Sequence, residues 1–125
     1  MRVLIIDPVK EEVREGEIDP ANTLAGMQKI VEGLICRAHI DEASGDEIYV
    51  NDEGLFVEEQ SFFSVEGGHQ PFAGCGVVVR YDEDGNTQGT NTPVADLARR
   101  ITWHGMNPPL PGDDEDPLRL RFLMR

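Results

Sequence analysis

A chain of 125 residues falls within the usual size of one domain and leaves no room for two. Its 39% of hydrophobic residues is enough material for a single core, which rules out wholesale disorder. Eleven Lys+Arg against 24 Asp+Glu give a formal net charge of −13, and that balance argues against nucleic acid or anionic lipid as a direct ligand, because both demand basic surface.

Taken in chain order, Val3-Leu4-Ile5-Ile6 is a continuous aliphatic run stopped by Asp7-Pro8, the pattern of a short strand buried on both faces. Lys10 to Asp19 carries five acids and only Val13 and Ile18 as large apolar residues, so it reads as a loop or an edge strand. From Pro20 the apolar residues Leu24, Met27, Ile30, Val31 and Leu34 recur at spacings of three and four and predict a long helix, with Asp19 as N-cap and Gly33 as stop. Leu34 to Ile40 and Glu47 to Asn51 read as two strands of a hairpin around an Asp41 to Asp46 turn. Asp52-Glu53-Gly54 is then a second turn, feeding Leu55-Phe56-Val57.

Residues 58 to 74 show neither period and predict a structured loop. Cys75 to Tyr81, built around Val77-Val78-Val79, predicts a strong strand, and Asp82-Glu83-Asp84-Gly85-Asn86 a hairpin turn. Thr92-Pro93 suits an N-cap and first helical position, opening a short helix with Val94, Leu97, Ala98 and Ile101 on one side and Arg99 and Arg100 on the other. The expected organisation is a single α+β domain over residues 1–104, with a mostly antiparallel mixed sheet, one long helix and one short one. An acidic Pro/Gly-rich loop over 105–117 and a C-terminal strand over 118–125 follow. In that last strand Leu118, Leu120 and Phe122 alternate with Arg119 and Arg121, an arrangement able to pair across a homodimer.

No run approaches the roughly 20 apolar residues of a membrane span, and Met1 to Asp7 is too short and too soon acidic for a signal peptide, so a cytoplasmic protein without membrane contact is expected. Cys36 and Cys75 form no CxxC pair and are expected to be reduced and packed. Cys36 and His39, three apart in a predicted strand, point to opposite faces, and neither His69 nor His104 completes a zinc-type spacing, so no metal or other cofactor is expected. Cys75 between Gly74 and Gly76, with His69 upstream, has the look of a nucleophile and base, but nothing supplies an orienting third group, and a buried thiol opening an apolar strand is the better reading. The Asp82 to Asn86 segment is no EF-hand, since its Gly comes fourth rather than sixth and Pro93 stands at the twelfth position. Gly67-Gly68 and Gly74-Cys75-Gly76 match no phosphate-cradling motif.

Acidity is the one feature that invites a functional reading. Asp41, Glu42, Asp52, Glu53, Asp82, Glu83 and Asp84 fall in predicted turns and form a candidate acidic binding surface, against the plainer reading that high net charge only keeps a small protein soluble. The rival is a small-molecule or nucleotide pocket with Phe62, Phe63, Phe72 and Trp103 as walls and Arg99 and Arg100 for an anionic group. An enzyme using paired carboxylates is the weakest reading, because abundant acids make some pair inevitable.

Three segments carry a family resemblance. Ile30-Val31-Glu32-Gly33-Leu34-Ile35 passes from helix into strand, Ile48-Tyr49-Val50-Asn51-Asp52-Glu53-Gly54-Leu55 closes an apolar strand in an Asn-acidic-Glu-Gly turn, and Pro71 to Val79 leads through glycines into a strand and the Asp82 to Asn86 turn. In these the chain resembles domain of unknown function 3846, small domains of bacteriophages, prophages and plasmids, over roughly residues 1 to 102. It departs in having Leu55 after Gly54, where the family commonly has Lys, and Ser61-Phe62-Phe63-Ser64 where a Pro-x-Asn element is usual. The resemblance implies fold and a mobile-element origin and brings no catalytic residues. The resulting expectation is a non-enzymatic, protein-binding or inhibitory module that acts through its acidic surface on a host or mobile-element protein, of which a nucleic-acid-binding protein is the sharpest case.

Overall fold

A computed structural model of the chain describes residues 1–53, 60–68 and 70–106. The expected Gly54 turn and Leu55 to Val57 strand, His69, and the 107–117 loop and 118–125 strand lie outside the described residues.

Among the described residues there are nine strands and two helices: β1 (Arg2–Asp7), β2 (Glu12–Glu17), α1 (Thr23–Val31), β3 (Ile35–Ile40), β4 (Glu47–Asn51), β5 (Phe62–Val65), β6 (Phe72–Ala73), β7 (Gly76–Tyr81), β8 (Thr87–Gln88), α2 (Val94–Ala98) and β9 (Ile101–Gly105). The main sheet runs in the order β2-β1-β7-β4-β3, with β8 paired to the end of β7. A second sheet has the order β6-β5-β9. Every pairing among the described residues is antiparallel, so the antiparallel character expected for most of the sheet holds throughout, in two sheets rather than one mixed one.

The period of two in a strand sorts the apolar residues into two cores. Val3, Val77 and Val79 face α1, where they meet Ile18, Met27 and Val31. Leu4, Ile6, Ile48, Val50 and Val78 face the other way and meet Phe63, Val65 and Phe72 of the second sheet, with Leu97 of α2. The result is three layers: α1, the six-stranded sheet, and the small sheet with α2. The uninterrupted apolar runs in β1 and β7 follow from this, since their residues are covered on both faces.

Residues 10 to 19 resolve into the edge strand β2, paired to β1 from Arg2↔Glu17 to Asp7↔Glu12 and burying only Val13. The helix starts later than the sequence predicts. Asp19 spends its side chain on the Ala21 N–H (2.9 Å) and its carbonyl on the Asn22 N–H (2.9 Å), forming a turn ahead of Thr23 instead of a cap. α1 is therefore nine residues, not a long helix, and Leu24 and Leu34 are exposed. At its other end Glu32 takes the left-handed conformation (φ 63°) and the Gly33 N–H donates to the Gln28 carbonyl at 3.0 Å.

The loop expected over 58–74 is also corrected, because it contains β5 and β6. Besides β6, β5 pairs with β9, forty residues away through Phe63↔Trp103, and no local pattern reports a pairing at that distance. Ile101, expected on the second helix, instead opens β9. Thr92 does not cap α2 either; Pro93 occupies the cap position in extended conformation, and the Thr92 hydroxyl is used elsewhere.

Candidate functional site

The strand registers decide which acidic turns lie together. β4 opposes β7 with Glu47↔Val79 and Tyr49↔Val77, so the 41–46 turn that precedes β4 stands at the same end of the sheet as the 82–86 hairpin that follows β7. Gly45 confirms the proximity: a Cβ there would lie 3.5 Å from the Arg80 guanidinium. Asp52 and Glu53 follow β4 at its other end, about 15 Å away by strand rise. The candidate acidic residues thus divide into Asp41, Glu42, Asp82, Glu83 and Asp84 at one end and Asp52 with Glu53 at the other.

Within the first group the carboxylates do different things. Asp41 builds its own turn, accepting from the Ala43 N–H (3.0 Å) and the Ser44 hydroxyl (3.0 Å), and it pairs with Arg100 at 2.6 Å. Burial pushes its carboxyl up, but the Ser44 and Arg100 hydrogen bonds outweigh that and hold it below the usual carboxylate range. Asp82 accepts from the backbone N–H groups of Asn86 and Asp84 (2.9 Å each) and from the Asn86 and Gln88 side-chain amides, with the Asn86 N–H the main cause of its lowered pKa. Gly85 supplies the positive φ (84°) that this hairpin needs. Glu42, Glu83 and Asp84 are exposed and have no side-chain partner among the described residues.

One residue that sequence reasoning missed ties this end together. Asp46 is buried, with the Thr90 hydroxyl on one carboxylate oxygen at 2.7 Å and the Thr92 hydroxyl on the other at 2.5 Å, while Arg80 approaches at 3.9 Å. It clamps the 89–93 segment to the 41–46 turn. Its partners lie 44 and 46 residues downstream, so no local signal marks it.

At the opposite end Asn51 makes the Asn-acidic-Glu-Gly segment intelligible. Its amide donates to the carbonyls of Val31 (3.2 Å) and Glu32 (3.1 Å) at the end of α1, and its oxygen accepts the Glu53 N–H at 2.7 Å. A Cβ on Gly33 would sit 2.5 Å from that amide nitrogen, so the glycine at the helix end and the asparagine at the strand end are one joint. Asp52 lies beside Cys36, whose thiol is pushed up first by burial and then by the Asp52 charge.

The aromatic and arginine residues expected in one pocket lie apart: Phe72 lines a cavity with Cys36, Arg37 and Asp52, and Arg99 and Arg100 line another. Phe63 is fully buried, and Phe62 and Phe72 are buried with it, the Phe63 and Phe72 rings 5.7 Å apart in the core. Trp103 is half-buried against the same core. Arg99 pairs with Asp96 at 2.8 Å and Arg100 with Asp41, and the cavity beside them is lined by Ser44, Glu66, Thr92, Pro93 and Asp96, with no aromatic side chain. The hydrophobic drive that makes phenylalanine a good pocket wall is met here by the second sheet.

Among the described residues no three His, Cys, Asp or Glu side chains converge as a metal site. The Cys75 thiol is pushed up to about 11, first by burial and then by the Asp7 charge, which leaves it protonated at neutral pH. Ser64 and His104 share a hydrogen bond of 2.8 Å across β5 and β9, unforeseen because the pairing itself was.

The profile of the family described as Domain of unknown function (DUF3846) matches residues 1–102, and the chain belongs to that family. The match runs from β1 to the start of β9 and so spans both sheets and both helices. No curated protein and no solved structure matches the chain.

Proposed function

We propose that the protein is a binding module whose acidic sheet end, formed by the 41–46 turn and the 82–86 hairpin, docks onto a basic surface of a host or mobile-element protein. The reading is supported by one observation above others: two acidic turns from separate hairpins stand side by side, and after Asp41, Asp46 and Asp82 are used to build them, Glu42, Glu83 and Asp84 still present free carboxylates. Negative charges fixed on tight turns cost little side-chain ordering on binding, and they suit a groove that otherwise receives phosphates. A nucleic-acid-handling protein in the cytoplasm is the partner with that surface, and the resemblance to phage and plasmid domains fits an inhibitory role. No helix among the described residues is long and apolar enough to cross a membrane.

The test compares two charge reversals in affinity capture from the natural host. Glu42→Lys, Glu83→Lys and Asp84→Lys together should abolish capture of a basic partner, whereas Asp52→Lys with Glu53→Lys at the far end should leave it intact. Capture by the wild-type protein should also fall when salt is raised well above 0.15 M, where the screening length drops below about 8 Å. Equal loss with both variants, or no partner at all, would refute the reading.

A further inference from the structure

The face of the main sheet that carries α1 is only partly covered. A helix of nine residues is about 13 Å long, and α1 lies over Val3, Val77 and Val79. Beyond it, between α1 and the β1–β2 hairpin, a cleft of about 880 Å³ is left, a volume within the range of small-molecule sites. Ile5, Ile18 and Ile30 give it apolar walls.

Its rim gathers three cations among the four carboxylates of Asp7, Glu17, Asp19 and Glu32. The chain contains two lysines, Lys10 and Lys29, and both line this cleft, with Arg14. Neither lysine has an ion pair among the described residues, in a chain with 24 carboxylates to choose from. Both ion pairs of Arg14, to Asp7 at 2.9 Å and Glu12 at 3.1 Å, run through Nη1, and among the described residues Nε and Nη2 have no hydrogen-bond partner. Buried Asp7 sets the arrangement: one oxygen accepts the Val9 and Lys10 N–H groups and shapes the turn that presents Lys10, and the other holds Arg14. The end of α1 that bears Lys29 is joined to Asn51, on the side of the sheet where Ile6 opposes Gly76, so the three cations come from three elements at the Asp7 end. Glu32 also stands at that end, while Glu17 and Asp19 line the other, about 15 Å away along β2.

We infer that this cleft binds a small phosphate monoester carrying an apolar group, its phosphate at Lys10, Arg14 and Lys29 and its apolar part against the isoleucines. A dianion matches two unpaired ammonium groups and a free guanidinium edge, and Glu17 and Asp19 repel it from the far end, which fixes one orientation. The site is separate from the acidic docking end, so either reading can fail without the other.

The experiment is a titration of the isotopically labelled full chain with phenyl phosphate and with inorganic phosphate, followed by amide NMR. Phenyl phosphate should shift Ile5, Lys10, Arg14, Lys29 and Cys75 saturably, and Lys10→Glu with Lys29→Glu should weaken it by about tenfold or more while the spectrum elsewhere stays native. Inorganic phosphate should bind more weakly at the same residues. No saturable shift with phenyl phosphate, unchanged binding by the double variant, or equal affinity for the two probes would each overturn the proposal.

Discussion

Asp46 is a buried carboxylate whose two closest side-chain partners are neutral hydroxyls, from Thr90 and Thr92, and the nearest guanidinium is 3.9 Å away. Hydrogen bonds to a charged acceptor are stronger than neutral ones, and removing the acceptor strands both donors. Asp46→Ala should therefore cost about 2–3 kcal/mol, and Asp46→Asn less, because an amide oxygen still accepts from one hydroxyl. Urea unfolding of the two variants checks this, and an unchanged midpoint for Asp46→Ala would show that the clamp carries no stability. Asp7 is the counterpart at the other end of the sheet. Its Asp7-Pro8 turn was legible as a stop signal, but the ion pair with Arg14 depends on the β1–β2 register and was not.

At the scale of elements, the joint between α1 and β4 is the most specific feature. Asn51 closes the helix end with two donated hydrogen bonds and starts the next turn with an accepted one. Gly33→Ala forces a methyl group to within 2.5 Å of that amide and displaces it, so it should cost about as much as losing the bonds outright, on the order of 1–3 kcal/mol. Because both substitutions break the same contacts, Gly33→Ala and Asn51→Ala should be clearly sub-additive in a double-mutant cycle. Additive costs would mean that the two residues act independently. The sequence pattern marked both ends of this joint as a helix stop and a tight turn; that they touch follows only from the β3–β4 hairpin bringing Asn51 back beside Ile35.

For the whole molecule, the pH dependence of stability follows from the carboxylates that the fold holds low, the exposed Asp82 and the guanidinium-paired Asp7 and Asp41. In Asp7 and Asp41 burial raises the carboxyl pKa, and hydrogen bonds more than reverse it, from Arg14 and the Lys10 and Val9 N–H groups to Asp7 and from Ser44 and Arg100 to Asp41, so the folded value lies below the unfolded one. Such groups contribute stability that is fully present above the unfolded value, near pH 4, and is lost as pH falls through their lowered folded values. Protonation also relieves the repulsion of a −13 chain, an effect of opposite sign, so the measurement belongs at about 0.5 M salt, where that repulsion is screened. Urea midpoints there should fall between pH 4 and pH 2, and the fall should flatten in Asp7→Asn with Asp41→Asn. An equally steep loss in that double variant would assign acid unfolding to other carboxylates. What the sequence by itself determined was the set of elements whose signal is local: β1 and β7 as continuous apolar runs, the 41–46 and 82–86 turns by their Asp and Gly, the class of fold, and the family segments. What only the tertiary structure decided was every relation between segments distant in the chain. Phe62 and Phe63 became core because β9 pairs with β5, Phe72 divides between that core and a cavity beside Cys36 and Asp52, Arg100 was taken by Asp41, and Lys10 of the β1–β2 turn and Lys29 of α1 came to line one cleft. Local patterns record the covering that a segment needs, and long-range packing chooses what covers it.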